Sequence, residues 1–276
     1  MGLLDKLLGK TKKPSRSGKV KRYERKLGYR TGNMQGIGSR KRQEDSFAFV
    51  NALDVVKIRD MGLMALLADG MGGLEGGKEA SEAACAAVSA DFEKIDRDGD
   101  IAAQLKESVL SASDSVFTGF EGRSGSTMIA CVLYDEKLYF VSVGDSYLYL
   151  KRGNSLCRLN RDQNYRWDLY LESVRDGVVW PEDADDDPNA HRLTEFIGKN
   201  EVSCVDMLLA PLPLLDGDML LLCSDGVGGV LSETELMACM DGHSPQEACD
   251  MIGAEIKKKN VLHQDNYTAL VISCGY

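Results

Sequence analysis

The sequence predicts an α+β fold in which groups of antiparallel strands are covered by helix pairs. Three observations lead there. Residues 126–159 hold four short apolar runs separated by tight turns, the pattern of an antiparallel meander. Helical spacing of apolar residues follows residues 78 and 231, giving two helix pairs able to cover the sheets. Two apolar runs also end alike: one delivers Asp69 into Gly70-Met71-Gly72-Gly73, the other delivers Asp225 into Gly226. The rigid end of a strand is a good place to hold a reactive carboxylate. An Asp-Gly pair by itself also simply closes a strand with a turn.

Composition narrows the class. The chain has 276 residues, 43% hydrophobic and 28% charged, which suits one large globular domain or two small ones. No run of about 18 apolar residues occurs, so no spanning helix is expected. No secretory signal is visible. The 8 cysteines show no C-x-x-C pair and mostly sit in apolar surroundings, so they read as reduced core residues of a cytoplasmic chain. Net charge is −10. Residues 1–30 hold eleven Lys/Arg and two Asp/Glu, a net +9, which leaves −19 for the rest. An acidic body argues against nucleic acid as a partner. The basic tail is expected to be flexible, with Leu3, Leu4, Leu7 and Leu8 on one side of a short amphipathic segment. It reads as a solvated terminus or as a tether to an anionic membrane surface or acidic partner.

From residue 31 the elements follow in order. Residues 36–45 form a charged loop with Arg40, Glu44 and Asp45, ahead of a strand over 46–53. The run at 63–68 carries no charge and reads as a strand buried on both faces. Residues 79–95 form a helix, and Asp100 caps a second one that breaks at 119–125. Strands are expected at 126–134, 138–143, 147–151 and 155–159. Residues 160–198 differ in character and read as an inserted surface lobe, with a helix near 167–178 and a solvated acidic run at 182–187. A strand at 219–223 then carries Asp225. Ser232-Glu233-Thr234-Glu235 and Ser244-Pro245-Gln246-Glu247 are capping boxes that open two helices. Asp265 precedes a closing strand at 268–273.

Glu44/Asp45, Asp69, Asp225 and Asp265 thus all abut turns or strand ends. Clustered carboxylates repel one another, so a cation is the natural neutraliser. Oxygen-only ligands suit Mg²⁺ or Mn²⁺. Two such ions activate water and offset phosphoryl charge, and Arg40 is suited to grip a phosphate. The constellation points to hydrolysis of a phosphate ester.

Six motifs in order resemble the bacterial branch of the metal-dependent, type 2C protein phosphatases. They are Arg40-x-x-x-Glu44-Asp45, Ala68-Asp69-Gly70-Met71-Gly72-Gly73, Gly125-Ser126-Thr127, Val143-Gly144-Asp145-Ser146, Cys223-Ser224-Asp225-Gly226 and Asp265-Asn266-x-Thr268. The resemblance runs from about residue 30 to 276. It implies a four-layer αββα sandwich with a flap at about 160–198, and removal of phosphate from phosphoserine or phosphothreonine by attack of a water between two metal ions. By position it implies that Asp69 bridges both ions and the Gly70 carbonyl ligates one, that Asp225 and Asp265 hold the other, and that Glu44 and Asp45 hold or orient water. Arg40 is implied to bind the substrate phosphate, and Asp145 matches the position of a weaker third metal. It further implies phosphoprotein substrates of a Ser/Thr kinase; a monomer is the default.

Three stretches depart from the family pattern. Tyr147 stands where Arg is usual, Met71 and Leu74 replace histidines of the glycine loop, and the flap opens with Asp162-Gln163-Asn164 in place of Asp-His-Ser. These leave the general acid open. They also leave two other readings: a pseudophosphatase that binds without turnover, and a phosphatase of small esters.

Overall fold

The computed structural model describes residues 26–71, 76–177, 184 and 186–276. The basic segment 1–25, residues 182, 183 and 185 of the acidic run, and residues 72–75 of the glycine loop lie outside the described residues.

Two antiparallel sheets face each other. The first contains β1 (Gly28–Gly36), β6 (Tyr147–Arg152), β7 (Ser155–Arg158), β10 (Met219–Cys223) and β11 (Tyr267–Gly275), in the order β1-β11-β10-β6-β7. The second contains β2 (Ser46–Val50), β3 (Leu63–Ala68), β4 (Met128–Tyr134), β5 (Lys137–Val143) and β8 (Asp206–Met207), in the order β2-β3-β4-β5-β8, with β9 (Leu212–Pro213) also pairing with β5. α1 (Val55–Met61) links β2 to β3. The helix pair α2 (Gly77–Asp91) and α3 (Ile101–Phe120) covers the second sheet, and α6 (Glu233–Met240) and α7 (Pro245–Lys259) cover the first. α4 (Tyr165–Arg175) lies in the inserted lobe, and the short α5 (Asp225–Gly228) follows β10. The architecture is the four-layer αββα sandwich.

The period of the strand explains the layering. In β3, Leu63, Ala65 and Leu67 point into the core between the sheets, where they meet Ile129, Leu148, Leu220 and Leu270. Met64, Leu66 and Ala68 point the other way, against Ala80, Ala84, Leu105 and Val109 of α2 and α3. Successive side chains of a strand alternate faces, so a strand covered on both sides must be apolar throughout. Alanines at 80 and 84 let α2 approach that face closely. On the other sheet, Leu221, Cys223, Ala269 and Val271 pack on Leu236, Ile252 and Ile256.

The helix starts match their sequence signatures. Asp100 accepts from the Ala103 amide, and both Ser232 and Ser244 form complete capping boxes with Glu235 and Glu247. Ser244→Ala should lower stability by about 1 kcal/mol, because an amide of the first turn loses its acceptor; urea unfolding measures this.

Several expectations shift. The four strands from 126 to 159 are not one meander. β4 and β5 form a hairpin in the second sheet, and β6 and β7 form another in the first. The chain crosses between sheets at Gly144, whose φ of +102° suits glycine and whose position leaves a Cβ only 2.7 Å from Thr127 Cγ2. Local turn signals cannot distinguish a hairpin from a sheet change. β1 already begins at Gly28, with Leu27 buried, so residues 28–30 belong to a strand and not to a tail. Their polar, glycine-containing run shows only weak alternation. Cys157 and Cys204 are exposed, whereas the other six cysteines are buried; all eight are free thiols. Among the described residues no helix is long and apolar enough to cross a membrane.

Candidate metal centre

Antiparallel pairing brings the acidic residues to one end of the sandwich. Asp45 immediately precedes β2, Asp69 follows β3, Asp225 follows β10 and Asp265 lies just before β11. The register places Ser46 opposite Ala68, and Cys223 opposite both Ala269 and Tyr147. Asp145 lies in the crossover between the sheets, from β5 to β6.

Asp45 joins the sheets. It leads into the second sheet, yet its Oδ2 accepts from Ser224 Oγ (2.9 Å) and Thr268 Oγ1 (2.6 Å) of the first. Its Oδ1 is buried and has no hydrogen-bond donor. The Asp69 carboxyl group lies close enough to the Asp45 carboxyl group to interact with it. Burial pushes Asp45 up to about 6, against the hydrogen bonds from Thr268 and Ser224. Burial pushes Asp69 well above the carboxylate range, and repulsion from Asp45, Asp225, Asp145 and Asp265 adds to it. Asp145 is raised to about 7, chiefly by burial and then by Asp225. Asp225 is raised by burial and by Asp265. Asp69, Asp145 and Asp265 are nevertheless partly exposed, and Asp225 is exposed. The carboxylates therefore line an open cleft with the fully buried Asp45 beneath, a shape that admits a ligand.

This donor set fits hard divalent cations. Acceptors face acceptors, and only a proton or a cation satisfies both. All the side-chain ligands are oxygen, as Mg²⁺ and Mn²⁺ prefer. Among the described residues no three Asp, Glu, His or Cys side chains already converge to hold one ion. One reason is visible: Arg40 Nη2 holds Asp265 Oδ2 at 2.5 Å. The arginine read as a phosphate ligand is thus paired with a carboxylate read as a metal ligand.

Glu44 enters through its backbone. Its carbonyl accepts from the Gly70 amide (3.2 Å) and Ser81 Oγ (2.6 Å), and its amide donates to Asn266 Oδ1 (2.8 Å). Gly70 is tightly enclosed: a Cβ there would stand 2.3 Å from the Gly77 carbonyl oxygen and 2.6 Å from that of Glu44. Any side chain would displace the loop from Asp69.

The supporting residues were not assigned roles from the sequence. Asn266 Nδ2 donates to the Ile37 and Arg42 carbonyls, both at 2.9 Å, and so shapes the loop that carries Arg40. Ser126 Oγ and the Thr127 amide donate to the Asp69 carbonyl, and the Asp69 amide donates to Thr127 Oγ1. Small hydroxyl and amide residues next to the acidic motifs were the available signal, but their partners are distant in sequence. Asn266→Ala should lower kcat/KM about tenfold or more, as loss of an orienting group behind a ligand typically does. Steady-state kinetics at saturating Mn²⁺, with a melting curve to confirm folding, tests this.

The unusual residues of the lobe also have partners. Gln163 Oε1 accepts from the Gly144 amide (2.7 Å) and its Nε2 donates to the Cys204 carbonyl (3.0 Å), fastening the lobe to the crossover that carries Asp145. Asn164 caps α4. Asp162 binds both Arg158 and Arg166. The Arg158 guanidinium lies over the Tyr147 ring, 4.0 Å from its centroid. A cation thus reaches Tyr147 from β7.

A layered sandwich with clustered carboxylates at one end of its strands suits metal-assisted hydrolysis of a phosphate ester. Residues 37–250 match the family described as protein phosphatase 2C. The chain belongs to that family and is a metal-dependent protein serine/threonine phosphatase. It is 28% identical over 228 residues to the serine/threonine phosphatase stp of Listeria welshimeri, covering 79% of this chain and 87% of the relative. The PPM Ser-Thr phosphatase MsPP from Mycobacterium smegmatis, solved in complex with cacodylate, superposes with a TM-score of 0.68 at 26% identity, covering 90% of this chain and 98% of MsPP. The catalytic domain of PstP, solved with 2 manganese ions, shares the fold with a TM-score of 0.71 at 24% identity, covering 91% of this chain and 100% of that domain.

Proposed function

We propose that the cleft hydrolyses phosphoserine and phosphothreonine in proteins, with Mn²⁺ or Mg²⁺ held by Asp69, Asp225 and Asp265. Glu44, Asp45 and the Gly70 carbonyl complete the set, and Asp145 is assigned to a weaker third ion. The observation that carries this reading is the buried Asp45 carboxyl group, one oxygen without a donor, beside the Asp69 carboxyl group. Divalent ions supply acidified water at neutral pH and compensation of phosphoryl charge.

The chain's own residues do the rest. Asp45 stays fixed by Ser224 and Thr268, which leaves its second oxygen free to accept from a ligand. Arg40 is exposed enough to exchange its partner: a phosphate dianion competes for the guanidinium and frees Asp265. Asn266 holds the Arg40 loop at the right height over the cleft. The leaving oxygen takes its proton from water in the open cleft.

We assign residues from about 26 onward to one catalytic domain, with the flap at about 160–198 bordering the cleft. The substrates are phosphoproteins made by a Ser/Thr kinase, and the working form is a monomer.

Hydrolysis of a phosphothreonine peptide tests the function. Turnover should require Mn²⁺ or Mg²⁺, stop in EDTA and return on adding metal. Asp225→Ala should lose it. Metal binding by calorimetry without peptide turnover would make the protein a binding module instead. Turnover of small esters but not of peptide would move the substrate class.

A further inference from the structure

The end of the sandwich remote from the cleft carries an unexplained apolar surface. None of the residues of α1 is buried, although the helix begins Val55-Val56 and continues through Ile58. Val55 is 81% exposed, and Leu53 just before the helix is fully exposed. A groove of about 400 Å³ runs beside the helix, lined by Leu27, Tyr29, Val55, Val56 and Ile58. Tyr29 and Ile58 also pack against the core between the sheets, so the groove is an open end of that core. Exposed apolar patches of this kind mark a docking surface.

The chain's own N-terminus is matched to it. The groove is also lined by Lys26, where residues 1–25 join the domain. Those residues contain Leu3, Leu4, Leu7 and Leu8 at helical spacing, followed by a basic run. They hold nine Lys/Arg against two Asp/Glu. Asp135 and Glu136 stand at the same lip with Lys26 and Arg59, so charge is balanced there, and the match rests on the apolar face and the nearby point of attachment. By random-coil statistics a 16-residue link spans roughly 20–25 Å, enough to let the leucines fold back. Tethering makes their local concentration about millimolar.

We propose that the Leu3/Leu4/Leu7/Leu8 face docks in cis into the α1–β1 groove and closes the inter-sheet core at that end. The six residues of β3 separate the groove from the cleft by roughly 20 Å. Docking therefore leaves the catalytic end open.

Hydrogen exchange of the full chain, read by mass spectrometry, tests this with two variants, Leu7→Asp and Val56→Asp. Peptides covering residues 2–9 and 53–58 should exchange about tenfold more slowly in the native chain than in either variant, at every protein concentration and without lipid. Both variants should hydrolyse a small chromogenic phosphate ester at the native rate, which also reports folding. Unprotected residues 2–9 in the native chain would overturn the proposal. So would protection that appears only with phosphatidylglycerol vesicles, which makes the segment a membrane ligand. Protection that rises with protein concentration would assign the groove to a second copy and overturn docking in cis.

Discussion

Asp69→Asn should reduce phosphopeptide turnover by on the order of 10³-fold, about 4 kcal/mol of barrier, and at the same time stabilise the metal-free protein. The two effects have one cause. Asp69 is the carboxylate that Asp45, Asp225, Asp145 and Asp265 all repel. Without a cation, the folded state holds that repulsion. An amide of the same shape removes it and can donate to the bare Oδ1 of Asp45. A gain of about 1–2 kcal/mol in EDTA raises the melting temperature by a few degrees. The same change removes the carboxylate proposed as the central ligand, so Mn²⁺ should no longer raise the melting temperature. Melting curves of native and variant protein, with EDTA and with Mn²⁺, separate this from general damage. A variant destabilised in EDTA would contradict the role given to Asp69.

The second large effect is on pH dependence. Asp45 is pushed up to about 6 and Asp145 to about 7 in the folded state, against about 4 in the unfolded chain. Between those values the folded state holds more protons than the unfolded one. By linkage, metal-free stability is therefore greatest near pH 4 as far as these groups are concerned, and declines as pH rises through 6 to 7. Asp45 dominates because it is fully buried, and Asp145 adds less because it is partly exposed. The loss amounts to on the order of a few kcal/mol. Divalent metal reverses the slope, because binding needs the deprotonated carboxylates and expels their protons. Urea unfolding at pH 5 and pH 7.5, with EDTA and with Mn²⁺, reads both slopes. A flat metal-free profile would mean that the carboxylates are not electrostatically coupled.

Much of the site was legible because its acids follow local rules. Asp69 and Asp225 end uncharged runs, and a run without charges has to be a strand or helix covered on both sides. The capping boxes at Ser232 and Ser244 are complete within four residues, so chain order alone exposes them. The supporting contacts are of another kind. Asp45 meets Ser224 and Thr268 across 179 and 223 positions, and Asn266 reaches Arg42 across 224. Nothing in the local pattern of a serine, threonine or asparagine names such a partner.

By itself, then, the sequence determined the uninterrupted apolar runs of β3 and β10, the helix starts, and the placing of single acids at strand ends. Each depends on neighbours along the chain and on burial, which composition and period report. Only the tertiary structure decided that the strands from 128 to 158 divide between two sheets at Gly144. It alone paired Arg40 with Asp265, left a buried acceptor of Asp45 without a donor, and left α1 uncovered beside the point where the N-terminal segment joins. Those outcomes depend on sheet order and register, which are set by hydrogen bonds and packing between residues tens to hundreds of positions apart.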